Sequence, residues 1–362
     1  MSVTIGTATA ATGETARGHL VVTELPTGPP ERVPVAVVAG EGDGPTLWVT
    51  GAVHGDEATG LAVAQDLVDA LDPAAVSGTV VVVPALNPAG LRRNTRTSYY
   101  GDEDPNRGFP DPESERHEPP SVQELADARV FEAATESVPA DALLDLHTAT
   151  VGSIPFVIRD RVLYGQRRDR ETAADLADRL ADLAAATGLP VVTEYGADAY
   201  VGRSLQRSTA GAALNAAGVP ALTLELGSHS VVEERDRRLG LAAVCRAAVA
   251  VGVLDGVPAD APTDELSAPV DYPVRRHRGP RTDTPGVCRH TVAAGDPVEA
   301  GETVARVVTA AGEERATVET DRDGYVLGRR DGVAVYENDP VTSLAVRDDG
   351  DLVVPRDGET GD

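Results

Sequence analysis

The sequence contains no lysine: all 32 basic residues among its 362 are arginine, so every cationic task falls to a guanidinium. Aromatic residues make up only 3%, so a core must be built from valine, leucine and alanine. Two cysteines, Cys245 and Cys288, are too few for a disulfide scaffold and point to a reducing interior. No apolar run approaches the ~18–20 residues of a membrane span. The N-terminus, MSVTIGTATAATGETARG, lacks the basic and apolar regions of a secretory signal, and a cytoplasmic protein is expected. Nor is there a concentrated basic patch. The dense basic runs, Arg275-Arg276-His277-Arg278 with Arg281 and the Arg92–Arg96 segment, are short. The formal charge of −26 repels phosphate backbones. Nucleic-acid and membrane partners are not expected.

What is present is 58 acidic residues and an ordinary hydrophobic content of 41%, so the acidity does not signal disorder. At roughly 150 residues per domain the length suggests about two domains. Extreme acidity with the weakly hydrated guanidinium as sole cation suits a cytoplasm at very high salt, where the Debye length is near ~3 Å and self-repulsion is screened. A GC-rich genome favouring Arg, Ala, Gly and Asp codons produces the same bias, and the two are compatible.

From about residue 33 to 254, short β-branched runs alternate with longer Ala/Leu-rich amphipathic stretches. The strand candidates are Val33–Val38, Leu47–Thr50, Thr79–Val83, Ala142–Leu146, Ile154–Val157, Leu189–Val192 and Pro220–Leu224. Helices are expected near 57–71, 121–137, 169–187, 203–217 and 231–252. Continuous apolar strands separated by helices predict a sheet buried on both faces, an α/β three-layer architecture with a mixed, mostly parallel sheet. The polar segment 101–120 is too long for an idle connector.

Beyond a linker at 259–269 the texture changes. Residues 270–347 show short alternating stretches punctuated by turn signals, which predicts a small all-β domain; residues 348–362 form an acidic tail. The pattern Pro285-Gly286-Val287, Gly295-Asp296-Pro297-Val298, Gly324-Tyr325-Val326 and Asn338-Asp339-Pro340-Val341 resembles the barrel-sandwich hybrid of biotinyl and lipoyl carriers. Those cofactors attach to a lysine at a hairpin tip, here near TAAGEERA, and the chain has none. A carrier function is excluded on chemistry, and the β domain is expected to pack against the first domain and roof its cleft, or to form a subunit contact.

Three strand candidates end in residues suited to metal or acid–base chemistry. LWVT leads into GAVHGDE, giving His54 and Glu57; ALL leads into DLHTA, giving Asp145 and His147; PALTL leads into Glu225. Open α/β sheets bind ligands beyond the carboxyl ends of their strands, so the three segments fall where one site would be assembled. His and Glu three apart across a strand-to-helix turn can converge on one ion, and a distant second His completes the His₂Glu set of hydrolytic zinc sites. Glu225, flanked by leucines, costs several kcal/mol to bury unless it is paired or used. Asp145 points to the same face as His147, either to orient a metal-bound imidazole or as a structural pair. The cluster Asn87-Pro88 to Arg96, followed by Asp104-Pro105-Asn106-Arg107, suits recognition of a carboxylate or a developing oxyanion.

Taken in order, GAVHGDEATG, LNPAGLRRNTR, DPNRGFP, DLHTA and TLELG resemble the succinylglutamate desuccinylase/aspartoacylase family of zinc-dependent deacylases, relatives of the zinc carboxypeptidases, over about residues 18–250. The resemblance implies one zinc per chain on His54, Glu57 and His147. It makes Glu225 the base that deprotonates water and then protonates the leaving amine. It makes Arg96 the group that polarises the scissile carbonyl, and Asn106 and Arg107 the pair that holds the substrate carboxylate. The spacer SYYGDEDP is longer than in the mammalian aspartoacylase-like members and leaves Arg93 as an alternative to Arg96. His229, just past Glu225, could line the cleft, with a surface role preferred; His19, His117, His277 and His290 are expected to face solvent. No pattern assigns a role to Tyr99 or Tyr100.

The expected activity is hydrolysis of the amide bond of an N-acyl amino acid or similar small carboxylate, by a catalytic domain spanning residues 1–258. The alternative is a metallocarboxypeptidase that uses the same zinc and glutamate on peptide C-termini. A metal-binding protein without catalysis is the third reading. The oligomeric state is left open, a homo-oligomer included.

Overall fold

The structure, a computed structural model, describes residues 2–113 and 119–356. An N-terminal group of strands, β1 (Ser2–Ile5), β2 (Ala8–Ala11), β3 (Glu14–Glu24) and β4 (Pro30–Ala39), leads into β5 (Gly42–Gly51) and β6 (Ser77–Val83). There follow β7 (Ala142–Ala149), β8 (Phe156–Arg159), β9 (Val162–Tyr164), β10 (Val191–Thr193) and β11 (Ala221–Ser228). The C-terminal part supplies β12 (Val274–Arg278), β13 (Gly286–His290), β14 (Pro297–Val298), β15 (Thr303–Val308), β16 (Glu314–Glu319), β17 (Gly324–Arg329), β18 (Ala334–Val335), β19 (Thr342–Arg347) and β20 (Val353–Pro355).

The central sheet is mixed, with parallel β6–β5–β7–β11 at its heart and antiparallel β4–β3 at one edge. β5, β7 and β11 carry the apolar runs read from the sequence, and their central residues, among them Trp48, Val49, Leu144 and Leu224, are wholly buried. Long helices at Ala58–Ala70, Val122–Glu132, Arg170–Ala186 and Glu234–Val251 surround this sheet. Their ends follow local chemistry. Ser121 and Glu124 form a capping box, the Asp169 side chain accepts from Thr172 N, and Gly252 closes the last helix in the left-handed conformation at φ 88°.

The expected helix over 203–217 is instead broken. Ser204 turns left-handed at φ 55°, Ser208 caps a new turn at Thr209–Ala212, and the wider π-turn Ala213–Ala217 follows. A serine that bonds to a nearby backbone amide competes with helix continuation.

The C-terminal strands form two sheets. β16, β15, β13 and β18 make one; β14, β17, β19 and β12 instead extend the central sheet, with β12 parallel to β10. The residues between 259 and 269 hold neither helix nor strand, and Arg246 anchors them through the carbonyls of Thr263 and Asp264. Strand β20 pairs with β9, so the segment after 347 is tied to the first half of the chain; residues 357–362 of the acidic tail lie outside the described residues. Among the described residues no helix is long and apolar enough to cross a membrane.

Candidate metal centre and cleft

Three parallel strands bring the chemistry together. β5 ends in a turn at Ala52, φ 46°, that delivers His54 and Glu57 to the start of helix Ala58–Ala70. Gly55 is required here, because a Cβ on it would lie 2.0 Å from the carbonyl carbon of Gly90. β7 presents Asp145 and His147, and β11 sets Glu225 directly beside His147 in register.

His54, Glu57 and His147 are all buried, with ligand atoms within 4.8 Å of one another. The Nδ1 atoms of His54 and His147 lie 2.7 and 2.8 Å from the two oxygens of Glu57. Each imidazole gives its other nitrogen to a carboxylate: His54 Nε2 lies 2.9 Å from Asp104 and His147 Nε2 2.7 Å from Asp145. Thr50 donates to the second oxygen of Asp145 at 2.7 Å. Two imidazoles converging on one carboxylate, each fixed from behind by another, suit a divalent ion such as zinc. Burial disfavours the charge on Glu57, but the two histidines outweigh it and hold the carboxyl far below its usual range.

Glu225 lies differently. It is 6% exposed, lines the cleft, and its Oε2 has no hydrogen-bond partner among the described residues. Burial pushes its carboxyl upward against the opposing pull of His147 and Arg276.

Arg96 reaches the cluster from the loop after residue 91, with its guanidinium 3.3 Å from Glu57 and 3.0 Å from Asp104. Arg93 is exposed and makes no such approach. Asn106 is buried, its carbonyl oxygen accepting from the amide and hydroxyl of Thr209 at 2.8 and 3.1 Å; the break at Ser208 is what turns that amide toward it. Its amide nitrogen lies 3.3 Å from His147 Nε2. Arg107 lines the cleft and donates to the carbonyl of Arg203 at 3.2 Å.

The cleft has a volume of about 510 Å³, and the C-terminal strands form one wall of it through Arg276, Arg278 and Ser343. Asp160 and Glu194 also line it, both almost fully buried. Arg276 lies 3.3 Å from Glu194. Burial, with the neighbouring Glu194 charge adding to it, pushes the Asp160 carboxyl up to about 8. The sequence reading missed Asp160, Glu194 and Arg276 as cleft residues; Arg276 stood in a noted basic run, and the other two had no motif.

Three histidines depart from the sequence expectation, and His229 combines the two positions open to it. His229 is half-exposed but lines the cleft rim, 3.9 Å from Asp56. His19 is half-buried and bonded to Thr7, while His277 and His290 are half-buried between the strands of the C-terminal part, His290 beside Cys288 at 3.6 Å. A strand packed on both faces leaves alternate side chains inside whatever their polarity. His117 lies outside the described residues.

A family model, the succinylglutamate desuccinylase/aspartoacylase catalytic domain, matches residues 43–249, more than half of the chain. A curated relative, the N-alpha-acetyl-L-2,4-diaminobutyric acid deacetylase of Halomonas elongata, is 29% identical over 327 residues, covering 86% of this chain and 85% of its own. Among solved structures, a succinylglutamate desuccinylase/aspartoacylase from Rhodobacter sphaeroides superposes with a TM-score of 0.69 at 24% identity, covering 92% of this chain and 95% of that one. The product-bound ectoine utilization protein EutE (DoeB) from Ruegeria pomeroyi gives 0.68 at 22% identity, with the same coverage. These structures share the fold.

Proposed function

Because the chain belongs to the succinylglutamate desuccinylase/aspartoacylase family, we propose that it is a zinc-dependent hydrolase of small N-acyl amino acids, with Glu225 as general base. The observation that carries this reading is the orphaned oxygen of Glu225, buried beside the His54–Glu57–His147 cluster and facing the cleft. A buried carboxylate oxygen with no partner among the described residues costs free energy that a proton, a ligand or a reacting water offsets.

His54, Glu57 and His147 would hold the zinc, whose chemistry when bound is Lewis acidity that makes water a nucleophile near neutral pH. Glu225 takes the proton of the attacking water and delivers it to the amide nitrogen as the C–N bond breaks, leaving a carboxylic acid and a free amine. Arg96 turns its guanidinium to the oxygen that becomes negative during the attack. Arg107 holds the carboxylate of the amino acid, and Asn106, held by Thr209, orders the loop around it. Asp145 keeps His147 in one tautomer.

The substrate we infer carries an amine. The curated relative is an N-alpha-acetyl-L-2,4-diaminobutyric acid deacetylase, and here the cleft lining includes two buried carboxylates, Asp160 and Glu194, of which Glu194 is ion-paired with Arg276. A substrate ammonium would compensate Asp160. The −26 charge and absent lysine support a cytoplasm at high salt as the working environment.

A panel of N-acetyl and N-succinyl amino acids, N-acetyl diamino acids and short peptides, assayed at molar KCl with zinc content measured in parallel, tests the reading. Turnover of the acetylated diamino acid in a zinc-loaded protein is expected. Turnover of peptides alone would replace the deacylase reading with the carboxypeptidase one.

A further inference from the structure

We infer that Glu31 is a positioning residue for Arg96: it staples shut the loop that carries this arginine. The inference rests on the deacylase reading, in which Arg96 faces the substrate carbonyl.

Glu31 lies near the start of β4 and is 3% exposed. Both of its oxygens are taken by the loop. Arg92 donates to Oε1 at 2.9 Å and to Oε2 at 3.0 Å, a two-pronged pair, and the Tyr100 hydroxyl donates to Oε2 at 2.5 Å. Arg92 also donates to the Tyr99 hydroxyl at 2.9 Å, and the rings of Tyr99 and Tyr100 pack with centroids 4.6 Å apart. One carboxylate thus ties residues 92 and 100 to the same point on the sheet, and Arg96 lies midway between them.

The arrangement answers a physical need. Between Leu91 and Pro105 the chain has neither helix nor strand, and Asn94 sits in the left-handed region at φ 51°. The Arg96 side chain is half-exposed, so little packing holds it. Fixing both loop ends on a sheet strand removes most of the loop's freedom before substrate arrives. Burial of Glu31 is offset by the Arg92 and Tyr100 bonds, which keep its carboxyl below the usual range and charged. A two-pronged arginine pair has a defined geometry, so the loop is held in one position. The residues that hold the staple are spent on it: neither Arg92 nor Glu31 lines the cleft.

The test is a double-mutant cycle between Glu31→Gln and Arg96→Ala. Glu31→Gln keeps the size of the side chain and removes its charge; Tyr100→Phe, which removes one bond only, takes its place in the cycle if the glutamine variant does not fold. Glu31→Gln is expected to lower kcat on an N-acetyl amino acid on the order of tenfold to a hundredfold, the scale of a small misplacement of a catalytic group, with KM much less affected. In the Arg96→Ala background the same change is expected to have almost no further effect. Hydrogen exchange of amides 92–100 should quicken in Glu31→Gln while the rest of the protein is unchanged, a readout that needs no substrate. Independent, multiplying losses in the cycle, or unchanged exchange over 92–100, overturns the inference while leaving the deacylase reading in place. Unaltered kcat in Arg96→Ala overturns the role of Arg96 and the inference with it.

Discussion

Glu225 and His147 stand side by side on the neighbouring parallel strands β11 and β7, paired in register. His147 is engaged on both ring nitrogens, whereas Glu225 keeps one oxygen without a partner among the described residues. In the proposed mechanism these two adjacent strand positions divide the work: one holds the metal, the other is free to react.

That division predicts the behaviour of Glu225→Gln. The variant should keep its zinc, because the residue touches none of the three ligand atoms, while turnover falls by ~10²–10⁴, the usual scale for a general base. Zinc analysis alongside steady-state kinetics checks it, and equal activity in the variant would refute the role.

Asp145→Asn should act on the metal instead. The amide cannot accept from His147 and Thr50 as a carboxylate does, and zinc affinity is expected to fall by about 10–100-fold. Competition with a chelator measures this directly.

Asp160 predicts a pH dependence of stability. Its carboxyl is raised from 3.8 to about 8 in the folded chain, so its contribution is full at pH below about 4 and is lost as pH rises through about 8. Asp160→Asn resembles the protonated acid and escapes that loss. The thermal midpoint of the variant should gain on the parent steadily between about pH 4 and pH 8; a constant difference across that range would show that Asp160 titrates normally.

Because β12 and β19 continue the central sheet, truncation after residue 269 should not yield a well-behaved catalytic half. It would bare β10 as an edge strand and remove the Arg276 wall of the cleft. Loss of soluble protein, or a soluble protein with sharply raised KM, is expected; unchanged kinetics and solubility would contradict it.

The metal cluster was legible in the sequence because its chemistry is local. His54 and Glu57 share one strand-to-helix turn, and Asp145 and His147 alternate on one apolar strand. The α/β pattern and four long helices followed from the alternation of β-branched runs with amphipathic stretches. Other features had no local signature. Glu31, between Pro30 and Arg32, has the sequence surroundings of an exposed turn acid, and only the return of the loop at Arg92 and Tyr100 buries it. Asp160 and Glu194 follow β8 and β10, which are distant in sequence, and only the parallel pairing of those strands brings them side by side. The pairing of β12 with β10 rests on a single register contact between Thr193 and Arg275, which no periodicity announces. The break at Ser204 and Ser208 was hidden because serine is tolerated in helices as well as in caps.

The central claim, a zinc-dependent deacylase, is tested most directly by titrating zinc into metal-stripped protein while following hydrolysis of an N-acetylated diamino acid at molar KCl. Activity should rise with added zinc and level off at one zinc per chain. Full turnover in the stripped protein, or zinc bound at that stoichiometry with no N-acyl amino acid hydrolysed, would contradict the account.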